Sequence, residues 1–248
     1  MKRDRAVVLA AIVILIALAW AYTAHVGLQA APTSRAMATS SMMPWTAADF
    51  GYMLVMWAVM MVAMMLPSAT PMIFVFGRVR EKRRGAGQPY APTAAFVGGY
   101  VLTWTAFSLL AAMANWGLHT GGALSSMMGR VAPATGGALL IAAGLFQWTP
   151  LKHACLNHCR SPIGFFVQNW HDGIVGATMM GMHHGAYCLV CCWLLMVLLF
   201  VLGVMNLPWV AVLTIVVLAE KVLPRGELLS RGLGALLVLW GTWLVAIN

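Results

Sequence analysis

Gly181-Met-His-His-Gly-Ala-Tyr-Cys-Leu-Val-Cys-Cys-Trp-Leu-Leu-Met196 decides how the rest of the chain is read. His184, Cys188, Cys191 and Cys192 stand at i, i+4, i+7 and i+8 as the chain enters a long apolar run. At about 100° per residue those positions share one face of a helix. A lone buried cysteine is ordinary packing, a small hydrophobe. Three cysteines and a histidine on one stripe form a soft-metal constellation instead, because thiolate and imidazole converge on one level.

Outward from that stretch, 62% of the 248 residues are hydrophobic and 8% are charged, with a mean hydropathy of +0.85. That composition predicts an all-α polytopic membrane protein lying in the lipid bilayer as one transmembrane domain over residues 1–248. The net charge of +9 is no nucleic-acid signature, since the basic residues sit in short blocks between apolar runs. Five cysteines, an odd number, make a poor disulfide framework and a better ligand set.

Seven spans are expected: Ala6 to Ala24, Phe50 to Phe76, Thr93 to Gly117, Val131 to Trp148, His184 to Met205, Leu207 to Val222 and Gly232 to Ile247. Residues 28–49 read as a polar loop, and 163–181 as an interfacial or re-entrant piece. Pro67 and Pro71 should kink or loosen the second span. Trp20, Trp45, Trp116 and Trp209 read as an outer belt, with Trp148 and Trp170 as an inner one. With a cytoplasmic N-terminus, one side receives Lys2, Arg3, Arg5, Arg78, Arg80, Lys82, Arg83, Arg84, Lys152, Arg160, Lys221, Arg225 and Arg231. The other receives Arg35 and Arg130. Such a bias orients the chain in a bacterial inner, or cytoplasmic, membrane.

Ligands must share a level as well as a face. If the fifth span enters from the cytoplasm at His184, Cys188 to Cys192 lie roughly 6–12 Å inside the hydrocarbon. Met64 and Met65, descending from the other side, lie about 9 Å from the same face of a ~30 Å core. Met53, Met56, Met60 and Met64 share a helix face, which packing alone would explain; thioether is also a neutral, soft donor that suits Cu(I). Cys155 and Cys159 sit in a connection bracketed by Pro150 and Pro162, read as a defined turn or short helix just below. Glu220 and Lys221 close the sixth span as an interfacial charge pair, the lysine snorkelling to the surface.

Five ordered motifs carry a resemblance. They are Met-Trp-Ala-Val-Met-Met-Val-Ala-Met-Met-Leu-Pro (56–67), Gln-Trp-Thr-Pro-Leu-Lys-x2-Cys-Leu (147–156), His-Gly-Ala-Tyr-Cys-x2-Cys-Cys-Trp-x2-Met (184–196), Met-Asn-Leu-x-Trp (205–209) and Glu-Lys-x2-Pro-x-Gly (220–226). Over residues 50–226 the chain resembles a bacterial family of predicted metal-binding integral membrane proteins of unknown function. Val190 stands where that pattern has glycine. The resemblance implies metal binding and names no metal, substrate or reaction.

Taken together, the residues point to a metal site formed by Cys188, Cys191, Cys192, Cys155 and Cys159, with His184, Met60 and Met64 as secondary ligands. Cysteine with methionine favours Cu(I); the histidines leave zinc or iron open. Delivery, sequestration or transport of the ion, with a membrane enzyme or metallochaperone as partner, is the leading expectation. A membrane thiol–disulfide oxidoreductase using Cys188, Cys191 and Cys192, and an assembly subunit of a larger membrane complex, also fit. No hydrolase nucleophile–base set, nucleotide loop or haem attachment motif is visible.

Overall fold

A computed structural model describes residues 2–37, 46–85, 92–121 and 133–247. Every regular element among them is a helix: α1 (Lys2–Met37), α2 (Ala47–Gly85), α3 (Thr93–Thr120), α4 (Pro133–Phe146), α5 (Pro150–Arg160), α6 (Pro162–Asn169), α7 (Gly173–Val197), α8 (Leu199–Leu202), α9 (Leu207–Val222) and α10 (Gly226–Ala246). By length and composition five apolar stretches can cross a membrane: Ala6–Gln29, Ala47–Arg83, Thr93–Thr120, Gly173–Leu202 and Gly226–Ala246. The apolar part of α4 and the whole of α9 are shorter. Trp45 and Arg130 lie outside the described residues.

Two expectations are corrected here. The expected 28–49 loop is helix as far as Met37 and again from Ala47. Residues 163–181 are not one interfacial piece: most of α6 and the first turns of α7 occupy them, so α7 begins eleven residues before His184. Cys188 therefore sits at the midpoint of the Gly173–Leu202 stretch rather than near its start. The second span, α2, stays helical through Pro67 and Pro71. Pro67 has no N–H to give Ala63, and the carbonyl it frees accepts from Trp20 Nε1 at 3.1 Å. Trp20 thus fills the gap that Pro67 leaves in the backbone ladder of α2.

Two glycine contacts set the close approaches. A Cβ on Gly99 of α3 would strike the Thr178 carbonyl of α7, and one on Gly181 would strike the Phe96 carbonyl of α3. The helices lie parallel and nearly backbone to backbone, as small residues allow in apolar bundles. Thr103 Oγ1 donates to Met182 O at 3.3 Å across the same seam. This register brings Tyr100 level with His184 and Cys188. An antiparallel counterpart pairs α4 with α10, where Gly144 faces Gly234 and Gly137 faces Gly241.

The short helices are bounded by local chemistry. Thr149 caps α5, its hydroxyl accepting from Lys152 N at 3.3 Å, and Pro150 fills the first turn, where no N–H is needed. Pro162 stops α5 by restricting Ser161. Pro224 likewise ends α9, leaving Leu223 extended. Arg160 then donates to the Leu223 and Pro224 carbonyls at 2.6 and 2.8 Å, tying the end of α5 to the end of α9.

Candidate metal centre

The site is built where α2, α3, α5, α7 and α9 meet. On α7, His184, Cys188, Cys191 and Cys192 are all buried on one face, as their spacing predicts. On α2, Met53, Met56, Met60, Met61, Met64 and Met65 are buried too, so the methionine stripe faces the core. Tyr100 links the two: its hydroxyl lies 3.1 Å from Cys188 Sγ and 3.1 Å from Met65 O. The methionine turn and the cysteine turn therefore stand on either side of one phenol oxygen.

From α5 comes Cys159, half-buried, its thiol beside that of Cys191. That contact, then burial, hold the Cys159 thiol well above its usual range. Burial, then the neighbouring Cys191, push the Cys155 thiol up as well. Cys188, Cys191 and Cys192 lie together on the buried face of α7, with Cys159 of α5 beside Cys191. Their present rotamers serve the fold: Cys191 and Cys192 donate to Cys188 O at 3.0 and 2.9 Å. Among the described residues no three His, Cys, Asp or Glu side chains form a ready-made cage for a metal ion.

His184 lies in an aromatic box. Phe96 and Tyr100 stack on its ring, at 6.2 and 5.5 Å between centroids, and Phe165 meets it edge-on at 5.8 Å. Its Nδ1 is buried and lacks a hydrogen-bond partner. An orphaned imidazole nitrogen in a dry core is costly, and a ligand would relieve that cost.

Glu220 and Lys221 do not form the snorkelling pair expected of them. Both are buried, at 2% and 9% exposure, and they point to different partners. Glu220 takes Lys152 through both carboxylate oxygens, each 2.9 Å from Nζ. Lys152, counted above as a surface charge, is fully buried and also donates to Gln147, whose Oε1 accepts from Ser230 at 2.9 Å. Lys221 turns the other way, donating to Ser68 Oγ at 3.0 Å and Cys188 Sγ at 2.8 Å.

Tyr100, Ser68, Lys152 and Gln147 are thus residues of the site region that spacing did not reveal. A signal was present: the motif at 147–156 carries one lysine and the motif at 220–226 one glutamate. A cavity lined by Val8, Ile73, Phe74, Arg78 and Thr93 takes in none of these groups.

The sulfur-rich core suits a soft metal ion, and the family comparison meets it from outside. A family model described as PpoB2, copper chaperone, matches residues 54–244. The chain belongs to that family. Membership supports a copper-handling role and agrees with the metal-binding resemblance. No curated protein and no solved structure matches the chain.

Proposed function

We propose that this copper-chaperone family member is a multi-pass membrane protein that takes Cu(I) as its cargo on a path of thiols from Cys159 through Cys191 to Cys192 and Cys188. Cys155 flanks the α5 end of the path. Met60, Met64 and the free Nδ1 of His184 are its auxiliary donors. The single observation that carries this reading is the burial of Cys188, Cys191 and Cys192 on one face of α7, bridged to the buried methionine stripe of α2 by the Tyr100 hydroxyl. Cu(I) exchanges readily between soft donors, so a ladder of thiols fits hand-over of a bound ion.

In the bilayer, α1, α2, α3, α4, α7, α9 and α10 would be the seven spans, with the N-terminus cytoplasmic and α5 and α6 folded back against α7. The exposed apolar side chains of α1 and α10, such as Ile14, Leu18, Leu236 and Leu239, would face lipid. Arg83 meets Asp172 at 3.5 Å and stacks over Trp170, which draws the end of α2 and the start of α7 to one side, as the basic bias requires. Reporter fusions after Arg84 and after Pro162 should both read cytoplasmic; a periplasmic signal at either rejects this orientation.

The metal claim is tested on protein purified in detergent and loaded with Cu(I) under anaerobic, reducing conditions. Wild type should retain copper through gel filtration, and a Cys188→Ser, Cys191→Ser, Cys192→Ser triple variant should lose nearly all of it. Full retention by the triple variant returns the cysteines to packing. A redox-active thiol pair in wild type without metal uptake would mark an oxidoreductase instead.

A further inference from the structure

We propose that Lys221 is the charge-compensating residue of the thiol site: its ammonium neutralises the single negative charge of Cu(I) held by two thiolates. This rests on the preceding reading of the thiols as copper ligands. It adds a reason why the site should prefer a monovalent ion at a two-thiolate centre.

The argument begins with the buried charges of the core. Lys152 and Glu220 satisfy each other, with Gln147 and Ser230 completing their hydrogen bonds. Glu220 is therefore committed, although it adjoins Lys221 in sequence. Lys221 is left with Ser68 and Cys188 as its hydrogen-bond partners. Beyond Cys188, it acts on Cys191, Cys192, Cys159, Tyr100 and His184: thiols, a phenol and an imidazole. An ammonium in an apolar core is very unfavourable unless an anion shares its surroundings. Of its two hydrogen-bond partners, only the Cys188 thiol can supply that anion.

Ser68 fixes the direction of the charge. Its hydroxyl proton is given to Met65 O at 2.8 Å, so its lone pairs are free to accept from Lys221. The ammonium is held between α2 and α7, against Cys188.

Charge balance then separates the ions. Starting from a net-neutral set of two thiols and the Lys221 amine, Cu(I) binding breaks two S–H bonds and forms two Cu–S bonds. Lys221 holds one of the protons as its ammonium and one passes to solvent, with no electron transferred. The product carries a charge of minus one, which Lys221 cancels. Zn(II) on the same two thiolates is already neutral, so Lys221 would remain as an uncompensated cation. A divalent ion needs a third thiolate to reach the same balance. Without the ammonium the order reverses: the two-thiolate Cu(I) complex becomes a buried anion and the Zn(II) complex becomes neutral.

The test measures Cu(I) affinity by competition with a chelator, and Cu(I)-over-Zn(II) preference by competitive loading, in wild type, Lys221→Met and Lys221→Arg. Lys221→Met should weaken Cu(I) binding by on the order of tenfold to a hundredfold, with preference falling in parallel. Lys221→Arg, which keeps the charge, should recover most of both. A Lys221→Met protein with wild-type affinity and preference overturns the proposal. Failure of wild type itself to bind copper would instead sink the preceding reading. If Lys221→Met does not accumulate, X-ray absorption on copper-loaded wild type decides. Two thiolate sulfurs per copper are expected, and a third thiolate, making the complex doubly negative, rejects the charge balance.

Discussion

Lys152 and Lys221 are two buried lysines in one core, and they solve the same physical problem differently. Lys152 is held by a carboxylate, an amide and well-placed hydrogen bonds that join the α4–α5 turn to α9 and α10. Lys221 is held by a hydroxyl and a thiol. A carboxylate locked to an ammonium makes a structural clamp with nothing left to bind. A thiol beside an ammonium can keep its proton, lose it or take a metal, so that pair stays open to a ligand. The comparison separates a part that holds helices together from a part that can change state.

The sharpest way to break the comparison is to remove each lysine in turn and follow thermal unfolding in detergent. Lys152→Met strands Glu220 in the core and should cost roughly 3–5 kcal/mol, most of it recovered by adding Glu220→Gln. Lys221→Met leaves Cys188 free to stay protonated and should cost the metal-free protein less than about 2 kcal/mol. Equal losses would make Cys188 a fixed anion and the two lysines equivalent.

Next in size is the contrast between thiol and thioether. Cys188→Ser should lower Cu(I) affinity by at least about tenfold, whereas Met64→Leu should lower it only about twofold to fivefold. Thiolate is a charged, strong ligand, and one methionine in a crowded stripe is replaceable by its neighbours. A larger loss from Met64→Leu would move the centre of the site from α7 to α2.

Much of this was legible before the structure. The shared face of His184, Cys188, Cys191 and Cys192 follows from helical spacing, and the apolar runs give the helix bounds Leu207–Val222 and the start of α3 at Thr93. The start of α7 was not legible, because Gly173-Ile-Val-Gly-Ala-Thr-Met-Met-Gly181 is only moderately apolar. Part of the reason is that Gly181 is there for contact with α3 rather than for lipid. Glu220 and Lys221 were misread for a different reason. Position at a helix end implies a surface, and only the fold shows that α5 and α7 cover that end. Pairing Lys152 with Glu220 needs two segments 68 residues apart, which no local pattern contains.

The third contrast is between the two ends of the thiol path. The raised Cys155 and Cys159 thiols are protonated at neutral pH, so copper binding there must release protons. Apparent Cu(I) affinity should fall as pH falls, because protons compete for the same sulfur. In the metal-free protein the raised thiols favour the fold below the ordinary cysteine range, and that contribution is lost as pH rises through their folded values. Maleimide labelling of Cys159 should be slow at pH 7, faster at pH 9 and blocked by Cu(I). Labelling unaffected by copper would remove Cys159 from the path.

The smallest expected effect belongs to Tyr100, the group between the methionine turn and the cysteine turn. Its hydroxyl contacts Met65 O and Cys188 Sγ and bonds no charged side chain. Tyr100→Phe keeps the ring that stacks on His184 and deletes only the oxygen. The Met65 carbonyl still accepts from Ser68, and Cys188 still has Lys221, so no buried group is left wholly unpaired. The loss in stability should be about 1 kcal/mol, that of an ordinary hydrogen bond. Copper affinity should change by about threefold or less, since Phe leaves the charge balance intact. A tenfold or larger loss with unchanged unfolding would mean that the phenol oxygen helps hold the ion. Tyr100 would then join Lys221 among the groups that tune the site, and the clamp around Lys152 would stand alone as structure.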